Sequence, residues 1–391
     1  MKHTVMARDT RNGWQVIVSS SVIMSFALLG DALIYAILPI YSESFGITMP
    51  MVGVLLSANR LVRVFAYGLI SDLVSAHGKR LLCIIAAIMA TASTGLYGIS
   101  TGFFPLLFAR VIWGVAYAIL VLSTLAYAVE YKEKAGTRVG VSQAIQRLRP
   151  IISLLLGAWL VGLVGPNMVF LLMAVPTTFG IFIALSLPKQ EPITHLPNRN
   201  QLQLVKPTPL DILYFMQGYA VDGLFAISVT LMLAETTNLS AAVLGGGALL
   251  ALRHLGEATG APLFAAIADR FGAGKIFFIA AIFMTIGLLL ISLSYVVIGA
   301  ILLMIFRGAL ASLGPAIIAQ TSLGQQDLMS SLARMQTWRD LGAAIGPLVT
   351  GTTLIYLSAE LQHLIVAIIF GAVLMYFSKS KIFLLTKNSD C

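Results

Sequence analysis

The run FPLLFARVIWGVAYAILVLSTLAYAV, residues 104–129, contains a single charged side chain, Arg110. A membrane-spanning helix needs about 20 mostly apolar residues, and this run exceeds that length. Its apolar residues are continuous, whereas barrel strands alternate apolar and polar positions. In hydrocarbon only helices and closed barrels satisfy their own backbone, so the run reads as a spanning helix. The rest of the chain follows suit. Of its 391 residues, 58% are hydrophobic and 10% charged. A soluble domain carries about 25% charged residues, so this chain lacks the charge to cover a water-facing surface.

Working outward gives twelve spans: 14–40, 50–74, 79–99, 104–129, 140–164, 167–187, 209–234, 241–266, 275–295, 298–322, 333–357 and 361–383. The connections sort by charge. One set holds Lys2, Arg8 and Arg11; Lys79 and Arg80; Lys132, Lys134 and Arg138; Lys189, Arg199 and Lys206; Arg270 and Lys275; Arg334; and Lys379, Lys381 and Lys387. The other set reads YSESFGITMP, ISTGFF, VGPN, ETTNLS, YVVIG and SAELQ, with no Lys or Arg. Basic loops stay on the cytoplasmic side. A multi-pass protein of the cell inner membrane is therefore expected, with both termini cytoplasmic. The polar residues before the first span are followed by an apolar run too long for a signal h-region, so no cleaved signal is expected. The net charge of +9 is spent on topology, and no nucleic-acid partner is implied.

The longest polar stretch, PKQEPITHLPNRNQLQLVKPT at 188–208, falls between the sixth and seventh spans. Its prolines mark it as a linker. It divides the chain into an expected N-terminal six-helix bundle, 1–187, and a C-terminal one, 209–391. The halves carry matching marks at one common offset: Asp72 with Asp269, Arg110 with Arg307, and Pro150 with Pro347. Asp31 matches Asp222 and Arg60 matches Arg253 at a slightly shorter offset. Duplicated halves with a solute site between them are a common build for secondary transporters.

The motifs around these marks resemble those of the major facilitator superfamily. GLISDLVSAHGKR (68–80) and AAIADRFGAGK (265–275) resemble its cytoplasmic loop motif; LLFARVIWG (106–114) resembles its helix-four arginine motif; GAAIGPLVTG (342–351) resembles its antiporter-associated Gly-Pro motif. The first loop motif spaces Asp72 and Gly78 more widely than the family pattern, and the Gly-Pro motif lies in the eleventh span rather than the fifth. The resemblance implies an all-α membrane fold of two six-helix bundles related by a pseudo-two-fold axis. It also assigns Asp72, Asp269 and Arg270 to a latch that stabilises one open face.

An ionisable group at membrane depth costs roughly 2.5–3.5 kcal/mol, so each is expected to face a cavity or a partner. Here they are Asp31, Arg60, Arg63, Arg110, Arg147, Arg149, Asp222, Arg253, His254, Glu257, Arg307, Arg339 and Asp340. Counting about 1.5 Å per residue puts Asp31, Arg60 and Arg110 at similar depth, and Asp222, Arg253 and Arg307 likewise. An acid–arginine cluster is expected in each half. Arginine stays charged and forks onto carboxylates and phosphates, so surplus arginines suit an anionic solute. The candidate solute-binding residues are Arg60, Arg63, Arg110, Gln143, Arg147, Arg253, Arg307 and Trp338. Asp31 and Asp222 are candidates for proton coupling, by competing with the solute for arginine; purely structural pairing is the alternative. Arg253 and Glu257, at i,i+4, are expected to neutralise each other. Adjacent Arg339 and Asp340 are expected to diverge by about 100°.

No nucleophile elbow, Walker loop, HExxH or metal-spaced Cys/His set is present, so neither an enzyme, a cofactor nor a metal is expected. The expected function is proton-coupled export of an organic anion such as a polycarboxylate siderophore, by a monomer in contact with membrane lipid. Proton-driven multidrug efflux and import of the same anion class are the alternatives.

Overall fold

The computed structural model describes residues 2–38, 41–130, 134–189, 206–234, 239–322, 324–354, 356–380 and 383. Most of the linker and the loop positions 131–133 and 235–238 lie outside them. The described chain is a succession of helical rods without strands. They are α1 (Lys2–Ile37), α2 (Met49–His77), α3 (Lys79–Ile99), α4 (Phe103–Val129), α5 (Ala135–Val164) and α6 (Pro166–Leu185). Next comes α7, in three continuous pieces: Pro209–Gln217, a π-helical Gly218–Phe225 and Ala226–Ala234. Then follow α8 (Leu239–Phe271), α9 (Ala273–Ser292), α10 (Val296–Thr321), α11 (Gln325–Thr353) and α12 (Ala359–Ser378).

Nine of these are long and apolar enough to cross a membrane, counted over the described residues. α5, α8 and α11 carry Arg147 and Arg149, Arg253 and Glu257, and Arg339 and Asp340. Large apolar side chains stand exposed along the helices, among them Phe65, Phe104, Phe182, Leu263 and Ile368. Such surfaces are at home in lipid and costly in water.

The chain forms two compact units. The first is 1–128 with 145–202; the second is 129–144 with 203–391. The first turns of α5 thus cluster with the second unit, which the sequence reading assigned to the first bundle. In the first unit α3 packs along α6 and α1. Phe170 meets Tyr97 edge-on with ring centroids 5.5 Å apart, in a core with Leu33, Leu55 and Leu106. In the second unit α10 packs against α8 and α9, and α11 against α7.

Tight turns repeat between the halves. Gly78 (φ 82°) joins α2 to α3 and Gly272 (φ 90°) joins α8 to α9, a region of backbone space open mainly to glycine. Counted back from these glycines, Asp269 lies in the last turn of α8, whereas Asp72 lies deeper in α2. Ser75 holds the corresponding place in α2, buried and donating to the Ser71 carbonyl at 2.9 Å. The wide Asp72–Gly78 spacing therefore moves the acid along the helix and leaves the turn intact.

Candidate functional site

In the first unit the site begins with Arg110 on α4. Its neighbours in sequence are apolar, and the helix buries its guanidinium completely. Nη1 pairs with Asp31 Oδ1 of α1 at 2.6 Å. Nε donates to the Leu55 carbonyl of α2 at 3.0 Å, and Nη2 to that of Leu56 at 3.4 Å. The Tyr97 hydroxyl of α3 lies 3.5 Å from Nη1. Arg110 thus ties four helices together, and the expected acid–arginine pair is present.

The other arginines of this unit have different surroundings. Arg63 is buried, with its guanidinium carbon 4.1 Å over the centroid of the Tyr117 ring and Nε donating to the Asn59 carbonyl at 3.2 Å. Arg149 lies 3.8 Å over the Phe26 ring of α1. Arginine on an aromatic face is stabilised by roughly 0.5–2 kcal/mol. Arg60 on α2 and Arg147 on α5 are half-buried. Sequence reading missed Tyr97, Tyr117 and Phe26; their type is visible in the sequence, but nothing there says which helix face meets an arginine.

The second unit repeats the pair and extends it. Asp222 sits in the π-helical segment of α7, a local widening that recurs at functional sites. It accepts from Arg253 of α8 at 2.6 Å and from Arg307 of α10 at 3.3 Å. Arg307 also engages Glu257 of α8 in a very close ion pair. Arg253 and Glu257 of α8 are thereby also linked through Asp222 of α7 and Arg307 of α10. Arg339 and Asp340, expected to diverge, are paired at 3.0 Å. The correction has a simple cause: the guanidinium ends a long flexible stem, which folds back although the two Cβ atoms point apart. Both residues lie midway along α11, because that helix begins at Gln325, earlier than expected.

Trp338 is half-buried and meets Phe215 of α7 edge-on at 6.2 Å, and Phe215 stacks on Tyr219 at 6.5 Å. Gln143, expected to face the solute, is buried. At the start of α7, Thr208 and Asp211 form a capping box, and Asp211 also pairs with Arg334 at 2.7 Å. The Thr-x-x-Asp spacing was readable as that signal. No group of three metal-ligating side chains occurs among the described residues.

The latch candidates divide. Asp72 is half-buried, and Arg270 is exposed. Asp269 accepts from the backbone N–H of Thr137 at 3.2 Å and from its hydroxyl at closer range. It thereby caps the first turn of α5, where unpaired N–H groups and the helix dipole favour a carboxylate. Asp269→Asn is expected to loosen this turn by about 1 kcal/mol. Amide hydrogen exchange at residues 136–139 should speed up roughly fivefold; unchanged exchange there would remove the cap from the account.

Known proteins agree with this architecture. The family model described as Major Facilitator Superfamily matches residues 21–213 and, a second time, 210–386. The crystal structure of the human organic anion transporter MFSD10 (TETRAN) has a TM-score of 0.76 to this chain at 16% identity, covering 96% of this chain and 99% of that one. At that identity the likeness is one of fold. No curated protein sequence matches the chain. With the family model matching both halves in turn, over helices that carry the same acid–arginine pair twice, the chain belongs to the major facilitator superfamily.

Proposed function

We propose that this protein is a secondary active transporter that moves a small organic anion by alternating access. The observation that carries the reading is a charge count. Among the spanning helices of the first unit, Arg60, Arg63, Arg110, Arg147 and Arg149 stand against two carboxylates, Asp31 and, toward the end of α2, Asp72. Two acids cannot neutralise five guanidinium groups, whichever contacts form. A permanently charged surplus in a low-dielectric setting favours an anion and disfavours the cationic solutes of multidrug exporters. The organic-anion label carried by the human structural neighbour agrees with this reading.

In the proposed scheme Arg60, Arg63 and Arg147 contact the solute, with Gln143 and Trp338 orienting it. Asp31 and Asp222 carry protons: protonation of either acid releases its hold on Arg110, or on Arg253 and Arg307, and these arginines then turn to the solute. Asp72, Asp269 and Arg270 act at the cytoplasmic ends as gating groups. The bundles are 1–187 and 209–391, in an inner membrane with cytoplasmic termini, and the protein acts as a monomer. Proton antiport then drives export, with a polycarboxylate siderophore as the proposed cargo.

The test is exchange of labelled organic anions in proteoliposomes across a pH gradient. Wild type is expected to accumulate a polycarboxylate. Arg60→Ala is expected to lower the rate at least tenfold, equivalent to about 1.4 kcal/mol. Asp31→Asn is expected to abolish the response to the pH gradient while counterflow persists. Transport of lipophilic cations in place of anions by wild type would overturn the proposal.

A further inference from the structure

Arg149 differs from the other membrane-depth arginines of the first unit. Arg110 pairs with Asp31, and Arg63 rests on Tyr117 while donating to the Asn59 carbonyl. Among the described residues Arg149 has one partner, the face of Phe26, 3.8 Å from its guanidinium carbon. No carboxylate pairs with it there and no carbonyl accepts from it. A ring face leaves the formal charge intact and the N–H donors of the fork unmet. The side chain is half-buried and stands midway along α5, where a charge without a counter-charge is costly.

The packing decides which way Arg149 faces. α1 and α5 are joined on either side of it: Ser25 of α1 donates to the Ile145 carbonyl at 3.0 Å, and Ser153 of α5 donates to the Leu29 carbonyl at 2.8 Å. Phe26 lies between those two contacts, and its ring centroid is 6.1 Å from that of Phe179 on α6. Leu148, Ile152 and Leu156 run beside Arg149 on α5, and Val175, Phe179 and Phe182 run along α6; each is half or more exposed. Stripes this apolar and this exposed belong in lipid. Arg149 therefore stands at the margin of a lipid-facing surface made by α1, α5 and α6, its stem leaning toward the start of α5. Arg147, proposed above to contact the solute, lies about 160° away around the same helix.

We infer that Arg149 anchors the headgroup of a bound anionic phospholipid. The lipid phosphate takes the guanidinium fork, as arginine does with phosphate generally, and the acyl chains lie along the exposed stripes of α5 and α6. Phe26, Leu148, Ile152 and Phe179 flank the charge with apolar surface, which suits a lipid and offers a small soluble anion nothing further to bind. A net negative headgroup is favoured, since a choline beside Arg149 would set two cations together. The bilayer reaches such a group by local thinning, which draws a phosphate inward. With Arg149 assigned to lipid, Arg60, Arg63, Arg110 and Arg147 still stand against Asp31 and Asp72, so the surplus that favours an anionic solute persists.

Native mass spectrometry of the full chain, released from detergent micelles, measures Kd for phosphatidylglycerol and for phosphatidylcholine of the same acyl chains. Wild type is expected to hold its tightest phosphatidylglycerol roughly fivefold more firmly than phosphatidylcholine, the worth of one basic group against an anionic lipid. Arg149→Gln should bring the two lipids to the same Kd. Arg149→Lys should keep part of the preference, because an ammonium meets phosphate as a point charge. Glycerol phosphate, the headgroup without chains, should not displace the lipid at equal concentration. A second measurement needs no variant: phosphatidylglycerol with a diazirine high on its acyl chain should label wild type around Leu148, Ile152 and Phe179. An Arg149→Gln protein that keeps the full preference overturns the proposal, as does labelling confined to other helices. Displacement by glycerol phosphate would assign Arg149 to a soluble anion and overturn it equally.

Discussion

Arg110→Met is expected to destabilise the protein by about 3–5 kcal/mol, the range for stranding one member of a buried ion pair. Arg110 has no solvent exposure, and its loss would leave Asp31 at membrane depth facing methionine. It would also leave the carbonyls of Leu55 and Leu56 without the donors that now join α4 to α2. The double variant Asp31→Asn/Arg110→Met removes both charges, and at least half of the lost stability should return. The remainder reflects the missing carbonyl contacts. Unfolding by sodium dodecyl sulfate titration in mixed micelles measures all three variants. The quantity of interest is the coupling term, expected at 1.5–3 kcal/mol by order of magnitude for residues in direct contact. A coupling near zero would mean that Arg110 is held by the backbone carbonyls and not by Asp31. The proposed proton-for-arginine exchange in that unit would then lose its basis.

Gly346→Val is the second large effect. A Cβ at Gly346 would lie 2.8 Å from Gly223 Cα and 2.9 Å from the Tyr219 carbonyl oxygen. From the other side, a Cβ at Gly223 would come 2.5 Å from Gly346 Cα. Both obstacles are backbone, so no side chain can swing away, and α7 and α11 must separate. Overpacking typically costs 1–3 kcal/mol and occasionally more; about 3 kcal/mol is expected here because two helix backbones must move. The consequence extends to chemistry. Gly223 follows Asp222 in the π-helical segment, so displacing it shifts the carboxylate away from Arg253 and Arg307. Gly346→Val should therefore lose the proposed proton-driven transport even at low temperature, where the fold survives. Gly346→Ala should show the same loss in weaker form. Full coupling in a variant with separated helices would show that the π-helical segment does not set the position of Asp222.

Much of this molecule was legible in the sequence, for a reason rooted in the solvent. Lipid imposes a length and a composition on every span, so the rods and their order follow from counting apolar residues. The paired marks at matching positions of the halves carried the duplication. Depth along a rod follows from residue number, so Asp31 with Arg110, and Asp222 with Arg307, were brought together by arithmetic on 1.5 Å per residue.

What residue number cannot supply is azimuth, the side of the rod on which a group emerges and the helix it meets there. Arg63 and Arg149 rest on the rings of Tyr117 and Phe26 because α4 and α1 present those rings to them. Glu257 engages Arg307 across a helix boundary, and Arg339 folds onto its own neighbour. Asp269 meets the start of α5, far away along the chain. The π-helical turn at Asp222 adds a further change of azimuth within α7. Membrane class, repeat and the inventory of buried charge follow from residue order alone. How that charge is shared emerges only in three dimensions, because pairing depends on rotation and packing of helices, which side-chain spacing along one rod does not encode.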